Sequence, residues 1–214
     1  MKSTIRPLER ITYYNIEKES YVSACQYMAG TFNDAASSRP KGSPVNLKLR
    51  FDLIKEEINE TIEAIKNLDE VKVIDGLCDV LYVTYGAAHV TGLTLDTERS
   101  EKQTARISGV NWDYLFDSIN DLRWQLHWIQ LDMRDEDMPS LEKDLRELAV
   151  ECWEMAFKGL GIDLYPFYEE VHRTNMAKLG GPKRADGKQL KPDGWQPPRI
   201  AEMLSQLRNG AKSV

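Results

Sequence analysis

Residues 53–86 read LIKEEINETIEAIKNLDEVKVIDGLCDVLYVTYG, and the fold is decided there. Upstream of and within this stretch, Leu47, Phe51, Ile54, Ile58, Ile62 and Ile65 recur at the 3.6-residue period of a helix with one buried stripe. A second stripe, Leu53, Glu57, Glu60, Ala64 and Leu68, is half apolar, which puts Glu57 and Glu60 one turn apart on a partly buried face beside Glu56 and Glu63. After a break at 67–70, the run from Val71 to Val90 is apolar almost all round, as a central helix must be. Asp75 and Asp79 sit inside that run at i and i+4, and Tyr82 and Gly86 continue their stripe.

A carboxylate buried without a partner costs several kcal/mol, so acids in a central helix call for neutralisation. Glu57 and Glu60 opposite Asp75 and Asp79 form an oxygen-only ligand set suited to Mg²⁺, with Mn²⁺ as a substitute; Mg²⁺ keeps several waters and often shares its sphere with phosphates. The bland alternative is a solvated face on which Glu56, Glu57 and Glu63 pair with Lys55 and Lys66. It accounts for Glu56 and Glu63 more readily than for the acids of the second helix, where lysines are lacking.

The 214 residues suffice for one substantial core, and 42% hydrophobic with 29% charged residues is the balance of a folded soluble chain. A net charge of −6 argues against general nucleic-acid binding without excluding a nucleotide substrate. The amino terminus has no apolar signal core and no run reaches the length of a membrane span, so a cytoplasmic protein with neither membrane nor nucleic-acid partners is expected. Cys25, Cys78 and Cys152 are odd in number and widely spaced, which suits reduced thiols better than disulfides or a zinc site.

Outside the acidic pair, periodicity predicts helices over 21–32, 112–133, 140–159, 166–179 and about 200–207. Residues 1–18 read as irregular, 33–44 as a loop and 96–111 as a connection; neither strand nor repeat is evident. The class is all-α, with four to five core helices in a single domain over 1–214, a helical insertion over about 96–158 and a substrate-covering tail over about 179–214. Trp112, Trp124 and Trp128 suit a core or a subunit interface better than base stacking.

The segment 170–195 gathers His172, Arg173, Asn175, Lys178, Lys183, Arg184, Lys188 and Lys191, a positive cluster in a negative chain. Alone it reads as a solvated tail; beside a carboxylate metal set it reads as a grip for polyphosphate. Glu169 and His172 form an ExxH, but a carboxylate-bridged di-iron bundle needs that pattern on two helices and this chain has it on one.

With Glu56-Glu57-Ile58-Asn59-Glu60 followed by Asp79, and with the later Asn175-Met176-Ala177-Lys178 and Asp186-Gly187-Lys188, the chain resembles the MazG-like, all-α nucleoside triphosphate pyrophosphohydrolases related to the dimeric dUTPases, in the type often encoded by phages and bacteria. The resemblance covers about 45–92 and 160–198. It departs at the second acidic pair, where the acid before Asp79 is Asp75, four residues back, and Gly76 occupies the three-back position. It implies cleavage of a triphosphate to monophosphate and pyrophosphate, on a deoxynucleotide such as dGTP, dCTP or dUTP, by a homodimer or homotetramer in the (host) cytoplasm. Glu56, Glu57, Glu60 and Asp79 would be catalytic, with Glu57, Glu60, Asp75 and Asp79 on Mg²⁺ and Glu56 or a spare ligand as the base. Asn175, Lys178, Lys188 and Lys191 would hold the substrate, and Trp195 its sugar or base. The alternatives are an enzyme acting on phosphoribosyl-ATP and a non-catalytic helical module whose acids bind a structural cation.

Overall fold

The computed structural model describes residues 21–37, 44–95 and 109–211. The region expected to be irregular at 1–18 lies outside them, as do residues 96–108 of the expected connection at 96–111 and half of the expected loop at 33–44. Seven α-helices carry the described chain: α1 (Tyr21–Ala36), α2 (Leu47–Lys66), α3 (Glu70–Thr91), α4 (Trp112–Asp135), α5 (Met138–Glu154), α6 (Tyr165–Met176) and α7 (Ile200–Ala211). A six-residue π-helical stretch, Met155–Leu160, extends α5. The described residues contain one isolated antiparallel bridge, Lys183 with Gln189, and no named strand, so the all-α class holds. No helix among them is long and apolar enough to cross a membrane.

The acidic pair folds as its periodicity requires. Asn46 caps α2 by accepting from the Leu49 amide at 3.0 Å, and Ile54, Ile58, Ile62 and Ile65 face the core. The chain then turns through Leu68 in a left-handed conformation (φ 54°), and Asp69 caps α3 through the Lys72 amide at 3.1 Å. Helix α3 is the hub and packs against α1, α2, α5, α6 and α7. Its closest approach to α2 explains the glycine in the acidic pattern: a Cβ on Gly76 would meet the Thr61 side chain and lie 3.2 Å from Thr61 Cα, which cannot step aside.

The second hairpin, α4–α5, repeats the first at an offset of 68 residues, a correspondence the sequence scan missed. Leu68 and Glu136 are the two non-glycine residues with positive φ among those described, and each precedes an aspartate cap, Asp69 and Asp137. Helix α4 lies on α2 and α5 on α3, and the corresponding residues Tyr85 and Trp153 meet across the seam, the indole N–H donating to the phenol oxygen at 2.9 Å.

Several expectations need correction. Helix α1 runs four residues past Phe32, so the first part of the expected loop is helical. Helix α7 likewise continues to Ala211 rather than stopping at Leu207. Trp124 and Trp128 are 61% and 48% exposed, which removes the core reading for both because they lie on the outer face of α4; Trp112 is half-buried. The three cysteines are buried and unpaired.

Candidate active site

Two helices supply the acids. Glu57 on α2 keeps 14% of its side chain exposed, and burial pushes its carboxyl up to about 7, with Glu60 and Glu56 adding to the rise while Lys188 and Lys178 oppose it. Asp79 is raised well above the usual carboxylate range by burial, then by Glu57 and Asp75. Asp75 is raised by burial against the pull of Lys178 and Lys191, and its buried Oδ1 has no hydrogen-bond partner. Glu60 stands at the exposed rim, so the expected burial of that stripe holds for Glu57 and fails for Glu60.

The cations arrive from the chain after α6. Lys178 lies just beyond its end, where Nζ donates to Asn175 Oδ1 at 2.6 Å; Asn175 itself is buried. The segment then doubles back: the Arg184 amide donates to the Lys188 carbonyl at 2.8 Å, with Gly187 in the left-handed region (φ 99°) at the turn. This brings Lys188 Nζ to 2.8 Å from Glu56 and 3.8 Å from Glu57, with Arg184 3.8 Å from Glu56. Trp195 stands behind these lysines. Its indole donates to the Thr174 carbonyl at 2.9 Å, and its ring carries Lys191 at 4.3 Å and Lys178 at 5.5 Å from the centroid. It does not line the groove, and what it contacts there is the lysines.

Between the two sets runs a groove of about 1310 Å³, lined by Glu56, Glu57, Glu60, Asp79, Asn175, Lys178, Lys188 and Lys191, and continuing past Tyr82 to Phe32, Asn33 and Arg50. Each expected site residue except Asp75 and Trp195 lies on its wall, and those two are tied to it electrostatically or by packing. Among the described residues, no three His, Cys, Asp or Glu side chains converge into a ready-made metal cage. The carboxylates are spaced along the groove instead. That arrangement, oxygen-only and with a buried Asp75 oxygen lacking a partner, fits a hard cation that keeps water and shares its sphere with phosphate. The ExxH does not form a ligand pair: His172 Nδ1 meets the Tyr82 hydroxyl at 2.9 Å, while Glu169 is exposed and hydrogen-bonded to Tyr165.

Sequence reasoning missed Arg184 as a partner of Glu56, and it missed the far end of the groove, where Arg50 donates to Asn33 Oδ1 at 2.7 Å. No motif marks that end; it comes together only when α1 packs on α3 and brings Asn33 to Arg50 of α2. The second hairpin does not repeat the Glu-Glu-x-x-Glu pattern of α2. At the 68-residue offset, Trp124, Gln125 and Trp128 stand where Glu56, Glu57 and Glu60 do, and Gln125 donates to Glu147, the counterpart of Asp79, at 3.1 Å.

Residues 26–106 match the family described as phosphoribosyl-ATP pyrophosphohydrolase, an all-α fold. The match contains the five acids and none of the lysines at 178–191. The chain is also similar to an uncharacterised protein of Acanthamoeba polyphaga mimivirus, 30% identical over 151 residues, an alignment covering 64% of this chain and 60% of that protein. The chain thus spans about 60% of the length of that relative. No solved structure matches it. The matched segment holds α2, α3 and the acids they carry, and it covers less than half of the chain.

Proposed function

We propose that the chain hydrolyses a nucleoside triphosphate, most readily a deoxynucleotide such as dGTP, dCTP or dUTP, to the monophosphate and pyrophosphate, by attack of water on the α-phosphorus. The observation that carries this reading is the groove itself, with Glu57, Glu60 and Asp79 facing Lys178, Lys188 and Lys191 across it. Glu57, Glu60, Asp75 and Asp79 would hold Mg²⁺, or Mn²⁺ in its place, which when bound neutralises polyphosphate and lowers the pKa of water.

The chain's own groups do the rest. When Glu57 is the carboxylate left off the cation, its carboxyl, pushed up to about 7, is matched to accept the proton of the attacking water at neutral pH. Lys188 and Arg184 occupy Glu56, whose work is to hold the tail segment over the groove. Lys178 and Lys191, fixed over Trp195, meet charge developing on the leaving pyrophosphate, and Lys188 can pass from Glu56 to a phosphate oxygen as substrate enters. Asn175 orients Lys178 through their 2.6 Å bond. Assembly as a homodimer or homotetramer belongs to the same reading, with Trp124 and Trp128 as exposed apolar area, and sedimentation tests it.

The deciding experiment is product analysis on all standard NTPs and dNTPs, with phosphoribosyl-ATP included, in Mg²⁺ or Mn²⁺. Monophosphate plus pyrophosphate is the expected pair of products; diphosphate plus phosphate, or turnover of phosphoribosyl-ATP alone, refutes the assignment. Glu60→Gln and Asp79→Asn should each abolish turnover while the helical circular dichroism is retained.

A further inference from the structure

Tyr82 and His172 form a polar pair that the mechanism above does not use. Tyr82 is three residues past Asp79 on α3, about 4.5 Å further along the axis at the helical rise, and both line the groove. Its ring is clamped edge-on by Phe32 at 5.8 Å and tilted against Tyr168 at 5.6 Å, so the hydroxyl has one position. That hydroxyl lies 2.9 Å from Nδ1 of His172 on α6, one turn before Asn175. His172 stands behind the groove wall rather than on it.

Direction along the groove follows from the charges. Lys178 and Lys191 act on Asp75, at the end of α3 remote from Tyr82, and Lys178 acts on Asp79 as well. Polyphosphate held by these groups lies from Asp75 to Asp79, so the sugar comes next, at the depth of Tyr82. Beyond it the groove opens toward Phe32 and Asn33.

A phenol hydroxyl has one proton to give and lone pairs to accept with. We propose that the Tyr82 hydroxyl donates its hydrogen bond to His172 Nδ1, leaving the Tyr82 oxygen as an acceptor that reads a sugar hydroxyl of the nucleotide. The inference rests on the pyrophosphohydrolase reading of the groove. Tyr82 is then a specificity-determining residue and His172 a positioning residue acting through it. The polarity also fixes the register. An acceptor beside Asp79 attracts a sugar O–H and repels a phosphate oxygen, so the substrate cannot slide one phosphate toward α1. Burial raises the phenol and lowers the imidazolium, which keeps both partners neutral with a single proton between them.

The test uses the full chain and two readouts. The first is kcat/KM for a nucleoside triphosphate and its 2′-deoxy, 3′-deoxy and 2′,3′-dideoxy analogues, in wild type, Tyr82→Phe, His172→Phe and His172→Gln. Wild type should lose about tenfold on the analogue lacking the hydroxyl that is read. Tyr82→Phe should treat parent and analogue alike, His172→Phe should lose most of the preference, and His172→Gln, whose amide oxygen can accept the proton, should recover part of it. The second readout is the ¹⁵N NMR tautomer of His172, expected as Nε2–H with Nδ1 accepting. An unchanged analogue penalty in Tyr82→Phe, or an Nδ1–H tautomer, overturns the inference while leaving pyrophosphohydrolysis standing. A wild type that turns over no nucleotide overturns both.

Discussion

Replacing Glu57 by glutamine should stabilise the protein and inactivate it at once, with a size set by its surroundings. In the unfolded chain the carboxyl titrates at 4.5; in the fold, burial and two neighbouring glutamates lift it to about 7. The folded state therefore holds this proton more tightly than the unfolded state, and the associated stability is present below pH 4.5 and lost as pH rises through 7. At about 1.4 kcal/mol for each pH unit between the two midpoints, the folded state is about 3 kcal/mol less stable at pH 8 than the same protein with a neutral side chain at position 57. Glutamine keeps the shape and removes the ionisation. For a chain of this length about 1 kcal/mol moves Tm by about 2–4 °C, so Glu57→Gln should melt about 6–12 °C above wild type at pH 8 in chelator and level with it at pH 4.5. Calorimetric scans across that range measure the gap, and Mg²⁺ at pH 8 should narrow it by raising wild type alone. A gap that does not change with pH, or a variant that melts below wild type at pH 8, refutes the claim that Glu57 is held in the fold against its own ionisation.

Three further outcomes follow from the same geometry. Gly76→Glu, which moves an acid to the three-back position, forces α2 and α3 apart at Thr61 and should lower stability by about 1–3 kcal/mol, read as a fall in denaturant midpoint. Lys188→Ala removes the largest pull that lowers the Glu57 carboxyl, so the acid limb of the pH profile of kcat/KM should move to higher pH as KM rises; a limb that stays in place contradicts Glu57 as the base. Trp195→Ala takes the platform from under Lys178 and Lys191 and should raise KM about tenfold with a smaller change in kcat, measured by initial rates.

The fold was legible where periodicity had one buried face to report. Helix α2 follows its isoleucines, and α3 follows from being apolar all round, because a hub helix has no face to leave polar. Helix ends were less legible. Helix α1 continues past Phe32 through Asn33 and Asp34, residues that look like loop in isolation, because Asn33 bonds back to the Ala29 carbonyl at 2.8 Å and on to Arg50. The repeat of the hairpin was hidden for a related reason. What α2–α3 and α4–α5 share is backbone conformation at Leu68 and Glu136 and capping at Asp69 and Asp137, while their outer faces carry acids in one and indoles in the other. At the site, the spacing of Glu57, Glu60, Asp75 and Asp79 was enough to nominate all four. It could not show that Glu56 faces Lys188, since that contact spans more than 130 residues and depends on a turn at Gly187.

The division of the site between two distant parts of the chain bears on how it works. Glu56, Glu57, Glu60, Asp75 and Asp79 all fall within the segment that matches the pyrophosphohydrolase family, and Lys178, Arg184, Lys188 and Lys191 all fall beyond it. With Asp75 counted beside the charged lining, seven carboxylates (Asp34, Glu56, Glu57, Glu60, Asp75, Asp79 and Asp186) stand against six cations (Arg50, Lys178, Lys183, Arg184, Lys188 and Lys191), and burial raises Glu57, Asp75 and Asp79 above the usual carboxylate range. A triphosphate brings several more negative charges into the same space. The lysines cannot neutralise it while also neutralising the acids, because Lys188 is already on Glu56 and Lys178 already feels Asp79 and Glu57. On the proposed reading, a triphosphate would bind together with cations, for which each carboxylate freed of its proton would be a ligand. On that reading the acids disfavoured by burial in the groove would be the groups that tie nucleotide binding to the metal, and the segment carrying the lysines would stay closed over Glu56 until a phosphate offers Lys188 a better partner.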